Sequence, residues 1–154
     1  MTEDKPVVRK SSQLTPQPTR RQGIRERRLL FPKDSPQQNI VLIDADEGAK
    51  VEIHEITTSE SIYVLMGSFE VTFEESGSKH LGPGDLCHFR AGTSHGLCCI
   101  QGPGQFLAVF APGGGENVSG RIKTGHCGSV ENQPFMRATF SPYHSSFLGH
   151  KPCF

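Results

Sequence analysis

Tryptophan is absent from the 154 residues, tyrosine occurs only twice, and the other ten aromatic side chains are all phenylalanine. No stretch approaches the roughly 18 uninterrupted apolar residues that a membrane-crossing helix requires. The basic-then-apolar order of a secretory signal is missing. Glu3, Asp4, Pro6, Pro16 and Pro18 do not suit an amphipathic transit peptide either. The five cysteines (Cys87, Cys98, Cys99, Cys127 and Cys153) are odd in number and contain no C-x-x-C pair. That argues against a disulfide framework or a closed cysteine zinc site, and for reduced thiols in a cytoplasmic protein without membrane partners.

Net charge is also lacking overall, but it is unevenly distributed. Residues 1–38 hold nine Lys/Arg against four Asp/Glu, and the remainder holds seven against twelve. The dense basic run, Arg20, Arg21, Arg25, Arg27 and Arg28, has no interleaved aromatics and no helix-turn-helix pattern, so nucleic acid is not expected as a partner. Residues 1–38 read instead as a basic, flexible, Pro-containing arm that stays mobile or folds against the acidic body.

What the chain does have is punctuation: 17 Gly and 11 Pro, suited to many short strands joined by turns within one domain. Residues 39–112 read as strand after strand, whereas residues 113–154 form a loop-rich C-terminal extension opening with Gly113, Gly114 and Gly115. In Ser68–Glu74 every second residue is apolar, which places Phe69, Val71 and Phe73 on one face. Ile62–Met66 meets this run through Gly67, as in a tight hairpin. Gly82–Asp85, Ala91–Ser94 and Gln101–Gly104 read as turns. No fixed-period repeat is present, and the even spacing of short strands favours an all-β sandwich or barrel.

The candidate chemistry lies in this strand-rich part. Strict alternation over residues 50–56 sets Glu52, His54 and Ile56 on one face and Val51 and Ile53 on the other. Glu60 follows near the start of the next strand, and His95 opens a strand after a Gly-containing turn. Two imidazoles and a carboxylate form a competent ligand set for one divalent ion, Fe(II), Mn(II), Ni(II) or Zn(II). Their spacing is not local, unlike that of H-E-x-x-H, so their convergence depends on the fold.

The run Gly48-x5-His54-x-Ile56-x3-Glu60-x6-Gly67 resembles the first motif of the cupin superfamily, and Gly84-x5-Arg90-x-Gly92-x2-His95-x3-Cys99 resembles the second. Seven of the ten fixed positions match, in order and at the family's spacing. Residues 68–83 between the motifs read as a short hairpin. Tyr63–Gly67 together with Leu81–Asp85 is similar to small single-domain cupins related to mannose-6-phosphate isomerase. The resemblance implies an RmlC-like jelly-roll β-barrel with a metal in its mouth, held by His54, Glu60 and His95. Three positions depart from the family pattern: Ile56 replaces its second His, Arg90 its Pro and Cys99 its Asn.

With Ile56 in place, two His and one Glu leave coordination positions open for substrate, water or dioxygen. Cys99 shares a strand face with His95 and Leu97 and is a candidate pocket residue, as a fourth ligand or as a small buried hydrophobe. Arg90 at the mouth is a candidate anion anchor or an ordinary solvated turn residue. The other histidines, His80, His88, His126, His144 and His150, have no convincing mutual spacing. Asn117–Ser119 matches a glycosylation acceptor, which carries no meaning without secretion.

The implied function is a metal-dependent small-molecule enzyme of dioxygenase, isomerase or lyase type. The alternative is a non-catalytic cupin that binds or senses a small molecule at a degenerate metal site. Apolar residues on both faces of the strand around Phe106–Phe110, together with Val51 and Ile53, point to a homodimer formed through the sheets.

Overall fold

Alternation of apolar and polar side chains is realised as eight strands in the computed structural model, which describes residues 5–113. They are β1 (Gln17–Pro18), β2 (Ile24–Leu30), β3 (Asn39–Ala45), β4 (Lys50–Glu55), β5 (Ser59–Phe73), β6 (Gly77–Leu81), β7 (Leu86–Phe89) and β8 (Ser94–Ala111). A 3-10 turn at Ser11–Gln13 precedes them, and no α-helix occurs among the described residues. None of those residues therefore forms a helix long and apolar enough to cross a membrane. Every pairing is antiparallel, in the order β1-β2-β3-β8-β5-β6, with β4 added to β8 and β7 added to β5.

The architecture follows from two long strands. β5 and β8 span 15 and 18 residues and pair from Ser59↔Ala111 to Phe73↔His95. At one end of this ladder their outer neighbours are β7 and β3; at the other they are β6 and β4. The register slips between Val64 and Phe69, and there the sheet doubles over into two packed halves, a jelly roll. Gly67 takes a positive φ of 78° at this bend. A Cβ on it would stand 2.6 Å from the Gln101 carbonyl oxygen and 2.8 Å from the Gly104 Cα. Glycine is required here by backbone approach as well as by conformation.

The bend corrects two expectations. Gly67 is not the tip of a hairpin, and Gln101–Gly104 does not separate two strands; both lie inside long strands that turn a corner together. Glycine and proline serve a mid-strand bend as well as a turn, and only the pairing partner distinguishes the two. The hairpin expected over residues 68–83 is present as β5 and β6, closing through Phe73↔Gly77.

Between the halves, Val64 and Val71 are fully buried, and Phe69 meets Phe106 edge-to-face at 5.2 Å. Ile62, Phe89, Leu97, Cys99 and Ala108 complete this core, with Phe73 packed against it. The outward face of β5 and β7 leaves Tyr63, Leu65, Met66 and Leu86 exposed.

The flexible arm expected over residues 1–38 is, within the described part, largely folded against the body. β2 pairs with β3 from Ile24↔Ala45 to Leu30↔Ile40, and Ile24 is buried. Ion pairs accompany this ladder. Arg27 reaches both carboxylate oxygens of Asp44 at 2.7 Å, and Arg25 holds Asp46 at 2.8 Å. Upstream, Arg9 pairs with Asp34 at 2.9 Å and lies over the Phe31 ring. The C-terminal extension expected from residue 113 onward lies, past Gly113, outside the described residues.

The bend makes a direct prediction. Gly67→Ala should cost roughly 1–3 kcal/mol through strain and backbone collision. A thermal melt followed by circular dichroism will show a lowered midpoint; an unchanged midpoint contradicts the close approach of β5 and β8.

Candidate metal centre

Three strands each deliver one donor: His54 from β4, Glu60 from β5 and His95 from β8. β4 runs against β8 as Lys50↔Cys98 and Val51↔Leu97, then resumes as His54↔His95, so three steps on β4 oppose two on β8. Such a bulge shifts the phase of alternation. It overturns the expectation that Val51 faces away from His54: Val51 packs against the core and lines the same cavity as His54, whereas Ile53 lies near Gly96 outside that cavity. The bulge also brings the Glu52 carbonyl within 2.9 Å of His54 Nδ1. A carbonyl only accepts, so Nδ1 carries the proton and donates, leaving the lone pair on Nε2.

His95 is almost fully buried, its ring stacked on Phe89 at 3.7 Å and tilted against His54 at 4.9 Å. Its Nε2 stands 3.4 Å from Glu60 Oε2, and its Nδ1 is buried without a hydrogen-bond partner. All three residues are buried, and one donor atom from each lies within 4.8 Å of the others. Burial pushes the His54 imidazole below its ordinary range. The Glu52 carbonyl opposes that shift, and neighbouring His95 and Arg21 reinforce it. The neutral imidazole is the form that ligates a metal.

The spacing of Glu60 and His95 fits a small divalent ion. A gap of 3.4 Å is long for a hydrogen bond. It is, however, the separation of two atoms bound to a common ion, since ligands about 2.0–2.2 Å from zinc-sized ions stand roughly 3.0–3.5 Å apart.

The three donors open into a cavity of about 1690 Å³. Ile56 is buried and lines it, in the place where the family's second His would add a fourth donor. Cys99 does not reach the cavity: its thiol faces the Gln101 and Ala45 carbonyls at 3.6 and 3.9 Å, and burial pushes it up in pKa. Arg90 is exposed and likewise not part of the lining.

Sequence reasoning missed other residues near the site. Arg20, Arg21, Glu26 and Arg28, all assigned to the arm, line the cavity, because β2 adds a wall with Glu26 and Arg28 facing in. A polar strand facing a solvated cavity carries no apolar alternation, so the only available signal was the charge match to Asp44 and Asp46. Cys87 pairs with Ile62 and packs against the core; burial, with Glu60 adding, pushes its thiol up. Among the remaining histidines, His88 bonds Ser61 at 2.8 Å and His80 lies 3.6 Å from Glu70. His126, His144, His150, Cys127, Cys153 and Asn117 lie outside the described residues.

The separation of Cys99 from the three donors has a measurable consequence. Cys99→Ala should leave metal affinity, read by titration calorimetry, unchanged. A weakened affinity would make this thiol a ligand and contradict its orientation.

Residues 39–110 match the family model described as Cupin domain. Among curated proteins, none matches the sequence significantly. Among solved structures, an RmlC-like cupin from Shewanella frigidimarina is 24% identical with a TM-score of 0.63, over 71% of this chain and 94% of that one. The polyketide cyclase RemF from Streptomyces resistomycificus is 19% identical with a TM-score of 0.62, over 68% of this chain and 78% of that one. A variant of Bacillus subtilis oxalate decarboxylase OxdC is 25% identical with a TM-score of 0.61, over 73% of this chain and 31% of that longer one. With the family match, the doubled-over antiparallel sheet and these neighbours, residues 39–110 are a domain of the cupin superfamily.

Proposed function

We propose that this cupin is a metal-dependent enzyme acting on a small molecule, with one divalent ion held by His54 Nε2, Glu60 and His95 Nε2. The observation that carries the reading is the convergence of three buried donors on one open cavity. A divalent ion bound there supplies Lewis-acid polarisation of a substrate oxygen, suited to isomerase or lyase chemistry, or dioxygen activation if the ion is iron.

The chain's own residues prepare that chemistry. The Glu52 carbonyl fixes the His54 tautomer and aims its free nitrogen. Phe89 holds the His95 ring by stacking, and burial keeps His54 neutral. Ile56, Ile62 and Phe106 line the cavity with apolar surface, which limits water around a bound substrate. Neighbours named as a polyketide cyclase and an oxalate decarboxylase support an enzymatic role. Free Cys87, Cys98 and Cys99 fit a reducing, cytoplasmic setting.

Ile56 favours a second reading, a non-catalytic cupin that binds or senses a small molecule, because an apolar side chain stands where another imidazole would strengthen the site. Elemental analysis of protein purified without chelator separates the two. The enzyme reading expects close to one ion per chain, lost in His54→Ala and in His95→Ala. No metal in the wild type after reconstitution with iron, manganese, nickel or zinc moves the assignment to the binding module.

The exposed row of Tyr63, Leu65, Met66 and Leu86 supports a homodimer formed through the sheets. Light scattering at micromolar concentration should give twice the chain mass of 16.9 kDa; a monomer overturns this part.

A further inference from the structure

Several charged side chains around the cavity are paired, and Arg20, Lys50 and Glu52 are exposed to solvent. Arg28 Nε binds Glu26 at 3.0 Å, Arg25 occupies Asp46, and a Glu47 carboxylate oxygen accepts from the Gly102 amide at 3.2 Å. Glu60 faces His95. Arg21 is different. It is half-buried and lines the cavity, and its side chain makes no hydrogen bond or ion pair among the described residues. The turn before β2 sets its position: the Arg21 carbonyl accepts from the Ile24 amide, and Thr19 Oγ1 accepts from the Arg21 amide. Its charge is close enough to His54 to oppose protonation of that ring.

Beyond the polar rim the wall is apolar: Val41, Ile43, Ile56, Phe106 and Phe110 face the same space. A guanidinium withdrawn from water without a carboxylate carries a desolvation cost that an incoming oxyanion offsets. Its planar fork matches a carboxylate in two-point contact. Arg90, a candidate anion anchor or a solvated turn residue by sequence, is exposed and off the lining, as the second of those readings has it.

We propose that Arg21 is the specificity residue of this cavity, binding the carboxylate of a substrate whose apolar body lies along Val41, Ile43, Phe106 and Phe110. The proposal rests on the cavity being the substrate site, as in the function proposed above, and adds the substrate class: an amphiphilic monocarboxylate. Arg21 comes from outside the matched cupin span of residues 39–110, so this selectivity belongs to the N-terminal segment of this chain.

The test uses the full chain, chelator-treated and Mn(II)-loaded, with 3-phenylpropionate and its neutral analogue 3-phenylpropionamide as probes in titration calorimetry. The wild type should prefer the carboxylate by roughly tenfold or more in both states. Arg21→Gln should erase the preference, while Arg90→Gln, at an exposed arginine off the lining, should keep it. Equal binding of the two probes to the wild type, no binding of the carboxylate, or a preference that survives Arg21→Gln overturns the proposal. His54→Ala keeps the two readings apart: metal content unchanged in that variant defeats the metal assignment. The carboxylate preference in the same variant is set by Arg21 alone and should persist.

Discussion

The pairing of β5 with β8 is the constraint on which the site depends. Glu60 lies opposite Phe110 at one end of this ladder, and His95 lies opposite Phe73 at the other. On a flat sheet the thirteen steps from Glu60 to Phe73 would span roughly 40 Å. Instead, a Glu60 oxygen stands 3.4 Å from a His95 nitrogen. Only a ladder doubled back on itself does this. The close approach of Gly67 to Gln101 and Gly104 is therefore a condition for the metal centre as much as for the fold. The β4 bulge does the rest, turning His54 toward the other two donors.

This arrangement is expensive locally. A carboxylate and two imidazoles are withdrawn from water, and one imidazole nitrogen of His95 has no partner. Buried polar groups without full compensation destabilise a fold, which is tolerable where the surrounding packing is strong. Here the surroundings are the stacked Phe89 ring and the core around Phe69, Val71 and Phe106. A bound cation relieves the same penalty, so ligand affinity and barrel stability draw on one set of contacts.

Much of this was legible in the sequence where residues are read by type and spacing. Phe69, Val71 and Phe73 alternate toward the core, and the glycine-punctuated motifs around His54, Glu60 and His95 carry the family pattern. The losses have specific causes. A bulge in β4 is invisible to period-two counting, so Val51 was placed on the wrong face. Gly67 and Gly102–Gly104 carry the same residue signal in a turn as in a bent strand. The interior of β2 faces a polar cavity, so Ile24–Leu30 shows no apolar alternation, and its partner was legible only as opposite charge. Cys99 shares strand parity with His95 but lies beyond the reach of the cavity, toward the corner.

The matched cupin span begins at Asn39, yet the sheet does not. β2 covers the side of β3 opposite β8 and consumes its ladder groups from Ile40 to Ala45. A barrel cut at the family boundary would present that side as an open edge, able to template pairing with another chain. The folding unit of this protein is therefore longer than its family signature. Its N-terminal segment extends the sheet past β3 and, in the same stretch of chain, closes one wall of the cavity.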